Sequence, residues 1–400
     1  MTETARRILV VGEAVTLAHV ARPIVVARAL ASTGIRPVIA TSERHRSLVE
    51  AEGFEFTPIR CVEKEEFERR LAKGEPVLRT DELISAVEED LELLRAYMPG
   101  AVIGDFRLSL RISARLSSCR YLNLSNAYWS PDAHLQPHLP DIPLHRYLGE
   151  SVGQRLFRAV WPFASWWHAR AFREACRKFR IPLDEGGLLG AYTASDLTLY
   201  CDLARLYGMK DRGPRHAFLG PLDWSPSVTS QPAWPDAPES NPSAPRIYLC
   251  LGSSGSATAL QTAIDALGSA PFRLLVSSAG MSVTVPPSSS LTLRKFVDGA
   301  WACKDADVVI CNGGSPSTYQ ALLHGVPVIG IARNMDQFMN MRVLERAGVG
   351  VCVRSSTLDG TRLLAAVETI QSGSYRTAAA SMREELRRYD TAAILRSVLA

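Results

Sequence analysis

Residues 307–340 read DVVICNGGSPSTYQALLHGVPVIGIARNMDQFMN, and this stretch decides the fold class of the 400-residue chain. After Asp307, VVIC is an unbroken apolar run, as expected of a strand buried on both faces of a parallel sheet, and VPVIGIA is a second such run. Between them, SPSTYQALLHG begins with residues typical of a helix start and ends at a glycine. Strand, helix and strand in this order predict a doubly wound, parallel α/β sheet.

The loop before this helix is suited to an anion. Gly313 and Gly314 permit a tight turn and a close approach of the backbone. Ser315 is a favourable N-cap and Pro316 a favourable first helical residue, so we expect the helix to begin there with its free N–H groups exposed. The GSSG loop at 252–255 follows another strand of the same half. Two such loops predict a diphosphate site, although glycines in such turns can also serve packing alone.

The alternation of strands and helices fills most of the chain. One series begins near residue 8, and a second starts with RIYLCLGSSG after a segment rich in proline and serine. We therefore predict an N-terminal α/β domain at 1–222, an interdomain linker at 223–245 and a C-terminal α/β domain at 246–375. Since ligands of such sheets bind at the carboxyl ends of the strands, we expect a cleft between the domains to hold the site.

Composition excludes several classes of protein. Hydrophobic residues make up 46% and charged residues 22% of the chain, which is typical of globular proteins. The net charge of +4 is too small and too dispersed to indicate nucleic acid as a partner. No apolar run approaches the roughly 20 residues that span a bilayer, and the first apolar run is too short for a signal peptide. We expect a cytoplasmic protein.

Neither a disulfide framework nor a metal site has support in the sequence. The eight cysteines are scattered without a C-x-x-C pair, which indicates reduced thiols. His134 and His138 have the spacing of a helical metal-binding pair, but Pro137 lies between them in a segment that cannot be helical. We expect no metal there.

Spaced motifs in the second half resemble the donor-sugar signature of the UDP-glycosyltransferases, the inverting family 1 with the GT-B fold. The family pattern is H-G-G-x-x-[ST]-x-x-[EQ], then G-V-P, then D-Q or E-Q sixteen residues after the E or Q. The chain has N-G-G at 312–314, Ser317, Gln320, G-V-P at 325–327, and Asp336 followed by Gln337. The N-G-G form resembles that of bacterial members.

The first half resembles the same family. TLAHVARPIVVARAL is similar to the segment G-H-x-x-P-x-x-x-L-A-x-x-L and places His19 at the position of the catalytic base. VIGDFRLSLRISARL is similar to the segment that carries the partner aspartate, here Asp105. The resemblance covers essentially the whole chain. It implies a GT-B fold of two Rossmann-like domains facing a cleft, with a C-terminal helix at 376–400 packing back on the first domain.

The resemblance also implies how the residues act. An imidazole ordinarily titrates near pH 6.5, so His19 suits the base for the acceptor hydroxyl, and Asp105 would orient it and stabilise the imidazolium. Fixed dipoles at the helix start would replace a divalent metal, so no metal or cofactor is expected besides the UDP- or dTDP-linked sugar donor. The residues expected to bind the donor are Ser253, Ser254, Val297 (through its backbone, to the base), Asn312, Gly313, Gly314, Ser315, Ser317, Gln320 (to the ribose), Asp336 and Gln337 (to the sugar).

Asn312 is the main departure from the family pattern, because it replaces the usual phosphate-binding histidine. An amide can still donate a hydrogen bond to a phosphate, but it carries no charge.

The sequence specifies the acceptor-binding region less closely than the donor-binding region. Aromatic residues are frequent at 128–180, and we expect Tyr128, Trp129 and Trp166 to bind a small apolar, aromatic or lipidic hydroxyl compound. The stretch FRAVWPFASWWHARAFREACRKFR mixes aromatic with basic residues, which is also typical of a segment that touches a membrane surface. We favour a buried helix with a solvated basic face.

The leading hypothesis is a glycosyltransferase that moves a sugar to an acceptor hydroxyl with inversion. A nucleotide-sugar epimerase or a lipid-intermediate N-acetylglucosaminyltransferase would use the same architecture. A non-catalytic nucleotide- or partner-binding relative is the alternative from another class. His19 and Asp105 argue against that last hypothesis, and Asn312 argues weakly for it.

Overall fold

Largely buried, apolar strands that alternate with helices over most of the chain build both halves of the protein. The computed structural model describes residues 7–183, 187–225, 231–239, 241–252 and 255–400. The chain divides into two units. The first contains the chain up to Gln136 together with Ser151–Leu222 and Tyr389–Ala400, and the second contains Pro137–Glu150 and Asp223–Arg388.

The described residues of the first unit form a seven-stranded sheet in the order β3-β2-β1-β4-β5-β6-β7, with every strand pair parallel. The chain moves outward from β1 to β3 and then returns to β4, so the carboxyl ends of β1 and β4 form a topological switch point. The strands are β1 (Arg7–Gly12), β2 (Arg36–Thr41), β3 (Glu55–Pro58), β4 (Ala101–Asp105), β5 (Tyr121–Ser125), β6 (Leu197–Tyr200) and β7 (His216–Phe218).

Helices cover both faces of this sheet. Side chains alternate along β1, so that Ile8 and Val10 pack in one core while Leu9 and Val11 pack in the other. The helices that follow one another up to residue 193 are α1 (Ala18–Ala31), α2 (Arg46–Ala51), α3 (Lys64–Lys73), α4 (Thr80–Tyr97), α5 (Leu110–Leu116), α6 (Pro143–His168), α7 (Arg170–Lys178) and α8 (Leu188–Thr193).

The aromatic stretch at 157–180 differs from the buried helix that the sequence analysis favours. It forms parts of two helices, α6 and α7, and one side of α6 is exposed although it is apolar. Gly153, Phe157 and Ser165 lie on the buried side. The favoured interpretation holds for α7, in which Phe172 and Cys176 are buried while Arg177 and Lys178 are exposed, and is wrong for α6, because composition gave no indication of which side of that helix packs inward.

The second unit has a six-stranded parallel sheet among its described residues, in the order β10-β9-β8-β11-β12-β13. The strand, helix and strand predicted within 307–340 are confirmed as β11, α11 and β12. The strands are β8 (Arg246–Cys250), β9 (Arg273–Ser277), β10 (Leu291–Arg294), β11 (Val308–Cys311), β12 (Val328–Ala332) and β13 (Gly350–Arg354). The helices are α9 (Ala257–Gly268), α10 (Gly299–Asp305), α11 (Ser315–Leu323), α12 (Met335–Arg346), α13 (Gly360–Ile370) and α14 (Gly373–Leu386).

The C-terminal segment contains two helices where the sequence analysis expects one over 376–400. The first, α14, packs against α11 within the second unit. The second, α15 (Thr391–Leu399), packs against α1 within the first unit. The helices are separate because Asp390 lies in extended conformation and its side chain accepts the N–H of Ala393, which caps the start of α15.

Candidate active site

His19 and Asp105 meet at the switch point of the first sheet. Asp105 ends β4 opposite Gly12, the last residue of β1, and His19 lies in the first turn of α1. Nδ1 of His19 is 2.7 Å from Oδ1 of Asp105, which is fully buried, while 18% of the His19 side chain is exposed. A carboxylate can only accept, so the bond to Asp105 puts the proton on Nδ1 and leaves the lone pair on Nε2, with Nη2 of Arg22 also 2.9 Å from Nδ1.

Arg22 completes this arrangement, and the sequence analysis missed it. It lies one turn after His19 on α1 and is buried. Its Nε and Nη2 donate to Oδ2 and Oδ1 of Asp105 at 2.8 and 2.7 Å, and its Nη1 donates to Oδ1 of Asn126 at 2.8 Å. The spacing of three residues from His19 is the signal that indicates a neighbour on the same helical face. The family pattern has its proline at this position, and here Pro23 follows it.

Their mutual attraction keeps Asp105 and Arg22 ionised despite burial. Burial raises the pKa of Asp105, but the charge of Arg22 and the proximity of His19 outweigh it, and the resulting pKa is below its usual value. Burial likewise opposes the charge on Arg22, yet the attraction to Asp105 raises the pKa of the guanidinium above its usual value. Asp105 and Arg22 therefore form a buried ion pair at neutral pH.

The network continues beyond Arg22. Nδ2 of Asn126 lies 3.2 Å from both carboxylate oxygens of Asp202, which is fully buried. Asp202 also accepts the N–H of Ala127 at 2.6 Å and the hydroxyl of Tyr207 at 3.2 Å. The orientation of Arg22 is thus held by side chains that follow β5 and β6 as well as by β4.

Aromatic rings extend from His19 in a row. Phe106 stacks on the imidazole with ring centroids 5.0 Å apart, and Tyr192 packs edge-on against Phe106 at 5.2 Å. Trp129 contacts Tyr192 at 4.9 Å. Phe106 has a φ of +58°, an unusual backbone conformation that turns the chain directly after Asp105. Phe106 and Tyr192 were not predicted. The one signal in the sequence was that Phe106 directly follows Asp105.

Two of the three residues expected to bind the acceptor belong to this row or adjoin it. Trp129 is half-buried within it, and Tyr128 is buried with its ring 6.1 Å from that of Trp129. Trp166 lies on α6 with 49% of its surface exposed. Its ring packs near Phe163 and under the guanidinium of Arg173, and within the described residues no ring contact joins it to the row.

In the second unit, the N-terminus of α11 follows the switch-point strand β11. Oδ1 of Asn312 accepts the N–H of Gly314 at 2.9 Å, and Gly313 has a φ of +79°. This hydrogen bond closes the turn at Gly314. Gly314 is therefore the N-cap and Ser315 the first helical residue, one position before the predicted start. Ser317 lies partly exposed in the first helical turn.

Asn340 holds this loop from α12. It is fully buried, and its Nδ2 donates to the carbonyl of Gly313 at 2.8 Å and to the hydroxyl of Thr318 at 2.9 Å. Gly252, after β8, lies beside Asn312: a Cβ on Gly252 would be 3.5 Å from the Asn312 amide nitrogen. The two glycine-rich loops therefore adjoin at Gly252 and Asn312. Ser253 and Ser254 lie outside the described residues.

Gln320 is already engaged on one side. Its Nε2 donates to Oδ1 of Asp223 at 2.8 Å, to Oγ of Ser225 at 2.9 Å and to the carbonyl of Trp224 at 3.3 Å. Its Oε1 lies against Gly299, where a Cβ would overlap it. Val297 is buried, directly before Asp298, which caps α10.

Asp336 and Gln337 lie in the first turn of α12. Asp336 is partly exposed. Gln337 is buried, and its Oε1 accepts the N–H of Arg333 at 2.8 Å, while its own N–H donates to the side chain of Asn334 at 3.0 Å. Gln337 thus caps α12 through its Oε1 and its backbone N–H. Its side-chain Nε2 would be the donor to a sugar hydroxyl.

Clusters of His, Cys, Asp or Glu with three or more members placed to hold a metal ion do not occur among the described residues. His138, one of the two histidines considered above, has its Nε2 3.3 Å from the guanidinium of Arg354.

Comparisons of sequence place the chain among known proteins. Residues 285–392 match the family model described as erythromycin biosynthesis protein CIII-like, C-terminal domain. A PGL/p-HBAD biosynthesis glycosyltransferase of Mycobacterium tuberculosis H37Ra is 37% identical over 380 residues, which are 95% of this chain and 88% of that protein. A PGL/p-HBAD biosynthesis rhamnosyltransferase of Mycobacterium bovis BCG is 36% identical over 385 residues, which are 96% of this chain and 85% of that protein.

Solved structures agree on the fold. The spinosyn rhamnosyltransferase SpnG, complexed with thymidine diphosphate, superposes with a TM-score of 0.68 at 18% identity, covering 99% of this chain and all of that one. The glycosyltransferase of kitacinnamycin gives a TM-score of 0.69 at 17% identity, covering 98% and 97%. At such identities the likeness concerns the fold alone. The mycobacterial relatives, however, match nearly the whole chain, which is therefore a glycosyltransferase and belongs to the UDP-glycosyltransferase family with the GT-B fold.

Proposed function

We propose that this glycosyltransferase moves a sugar from a nucleoside-diphosphate donor to the hydroxyl group of an apolar, aromatic acceptor, with His19 as the base and inversion at the anomeric carbon. The observation that carries the proposal is the contact between His19 and the buried, ionised Asp105 at the switch point of the first sheet. It leaves Nε2 of a partly exposed imidazole as the proton acceptor.

The reaction is a single displacement. The acceptor oxygen attacks the anomeric carbon while Nε2 of His19 takes its proton, and the bond from that carbon to the diphosphate oxygen breaks on the opposite side. One displacement inverts the configuration. The positive charge that forms on the imidazole faces Asp105, which stabilises it in the way of a catalytic dyad. Arg22 holds both oxygens of Asp105, so the carboxylate cannot rotate away from His19.

The diphosphate binds at the start of α11 in this proposal. The N-terminus of a helix attracts anions through its free N–H groups and its dipole, and the bonds from Asn312 and Asn340 fix the loop before the ligand arrives. Ser317, the amide of Asn312 and the side chain of Gln320 are the groups we assign to the diphosphate and ribose. Asp336 and the amide nitrogen of Gln337 are assigned to the donor sugar, and the backbone of Val297 to the nucleobase. No metal takes part in this scheme.

The acceptor and donor classes rest on different observations. The row formed by Phe106, Tyr192 and Trp129 beside His19 supports an aromatic or apolar acceptor, because flat apolar rings stack on such side chains. A mycobacterial relative is named a rhamnosyltransferase, which supports a deoxysugar as the group transferred. The first donor to test is dTDP-rhamnose, with UDP-linked sugars for comparison.

The test is transfer to a panel of phenols and lipidic alcohols, followed by mass spectrometry and assignment of the product anomer. His19→Gln should lower kcat by about a hundredfold or more, the usual contribution of a general base, while nucleotide binding is unchanged. His216→Gln is the control, since His216 begins β7 at the opposite end of the sheet. Unchanged turnover in His19→Gln contradicts the base assignment. An epimerised sugar nucleotide formed without acceptor, or nucleotide binding without any transfer, contradicts the proposed reaction.

A further inference from the structure

One side of α6 carries a stripe of exposed apolar side chains. Five of them recur at spacings of four, four, three and four residues, and the sixth, Trp166, lies three residues after Phe163, so all project from a single side of the helix. The exposed fraction reaches 67% for Phe163 and 49% for Trp166. We call this stripe the α6 face; its members are Val152, Leu156, Val160, Phe163, Trp166 and Trp167.

This amount of exposed apolar surface requires an explanation. Single exposed apolar residues are common on proteins, but contiguous patches mark interaction sites. From residue 152 to residue 167 the α6 face runs along about 22 Å of helix. The described helices include none that is long and apolar enough to cross a membrane, so the α6 face does not belong to a membrane-spanning segment.

Positive charge accompanies the α6 face. The segment 151–173 contains four arginines and no acidic residue. Arg155 and Arg158 are exposed, and within the described part of the chain neither guanidinium forms an ion pair. Arg170 is exposed as well and is bound to Glu174 at 2.7 Å. A surface that combines apolar side chains with unpaired cations is complementary to one that combines acyl chains with negative headgroups.

The two tryptophans have the arrangement that an interface requires. The guanidinium of Arg170 lies 5.5 Å from the ring centroid of Trp167, and that of Arg173 lies 4.2 Å from that of Trp166. Each indole therefore has a cation over its face while part of its surface is open to the surroundings. Tryptophan is enriched at the level of lipid headgroups because its ring is apolar and its N–H is polar.

We propose that the α6 face docks the protein on the surface of an anionic lipid bilayer, with its apolar side chains among the acyl chains and Arg155 and Arg158 on the headgroups. A second copy of this chain fits the face less well, because a two-fold contact would bring the same unpaired arginines of both copies together. This docking is independent of the proposed reaction, and it assigns Trp166 to the bilayer contact.

The test is co-sedimentation of the full-length protein with phosphatidylcholine vesicles that contain or lack phosphatidylglycerol. We expect binding to the anionic vesicles, and a blue shift of tryptophan emission on binding. Phe163→Ser should weaken binding about tenfold, as the loss of one buried aromatic side chain does in partition. Arg155→Glu combined with Arg158→Glu should abolish the preference for phosphatidylglycerol.

Met98→Ser is the matched control, since Met98 is also highly exposed but does not belong to the α6 face. His19→Gln should bind vesicles like the wild type, which separates this proposal from the reaction. Failure of the wild type to sediment with anionic vesicles, or equal binding by Phe163→Ser, overturns the proposal. A dimer that Phe163→Ser dissociates, without vesicle binding, also overturns it and assigns the face to a second copy.

Discussion

Arg22 determines how strongly Asp105 acts on His19. Asp105 shares its negative charge between the guanidinium, with which it makes two hydrogen bonds, and the imidazole. Arg22 also contacts Nδ1 of His19 at 2.9 Å, the thiol of Cys201 and the neutral amide of Asn126, behind which lies Asp202. In the proposed reaction, Arg22 would position Asp105 and moderate the negative charge that acts on His19.

Replacing Arg22 with Gln should move the acid limb of the pH profile of kcat/KM to higher pH. An uncompensated Asp105 holds a proton on the imidazole more strongly, so more of the enzyme is inactive at a given low pH. Arg22→Lys should restore the profile in part, and Arg28→Gln, on the exposed side of α1, should leave it unchanged. If the pH profile of Arg22→Gln matches that of the wild type, Arg22 has only a structural role.

Asp105 also makes stability depend on pH. Its pKa in the folded protein is below the unfolded value of about 4, so its ion pair contributes fully above that pH and is lost as the pH falls through the folded value. Asp105→Asn should lower the free energy of unfolding by roughly 3–5 kcal/mol at pH 7, because it leaves the buried Arg22 unpaired. Urea denaturation should show the difference from the wild type shrinking below about pH 4. A constant difference across this range would contradict the ion pair.

At the scale of elements, the start of α11 depends on Gly313, a position that does not accommodate a side chain. Gly313 has a positive φ, and a Cβ there would lie 2.8 Å from Cγ of Met341 on α12. The backbone conformation of Gly313 and its contact with α12 therefore both fix the loop.

Gly313→Ala should destabilise the protein by more than about 1 kcal/mol and weaken nucleotide binding, since both the backbone and the packing are strained. Gly348→Ala is the matched control, because Gly348 has a φ of +68° but open space where its Cβ would lie. It carries only the backbone cost and should bind nucleotide like the wild type. Isothermal titration with UDP and dTDP, beside thermal unfolding, measures both effects. Equal losses of affinity in the two variants would show that the loop does not bind the nucleotide.

The sequence predicted these elements unevenly, for physical reasons. Two adjacent glycines after an apolar strand sufficed to predict the turn into α11, but the bond from Asn312 shifted its first residue by one. His19 and Asp105 were found because the segments that carry them resemble those of a known family. Arg22 escaped because the family pattern has a proline at its position, and its contact with Asp105, 83 residues away in the chain, forms only in the folded sheet. The α6 face escaped because an aromatic, basic composition does not specify which side of a helix packs inward.

At the scale of the whole molecule, ligand binding to the second unit should raise the temperature of unfolding. A ligand that binds only the native state stabilises it by RT ln(1 + [L]/Kd). We expect a shift with dTDP or UDP and none with GDP, and we expect the shift to be the same with magnesium and with a chelator. His19→Gln should show the wild-type shift. A shift that requires magnesium would contradict the metal-free scheme.

The position of α15 has a consequence for synthesis on the ribosome. This helix places Leu395, Val398 and Leu399 in the core that α1 and β1 also line, yet it is translated after the whole of the second unit. A nascent chain therefore carries an uncovered apolar surface on its first unit for as long as the intervening residues are being made. The first unit emerges from the ribosome first but is completed last. Early release of the chain would therefore produce an aggregation-prone fragment that depends on chaperones.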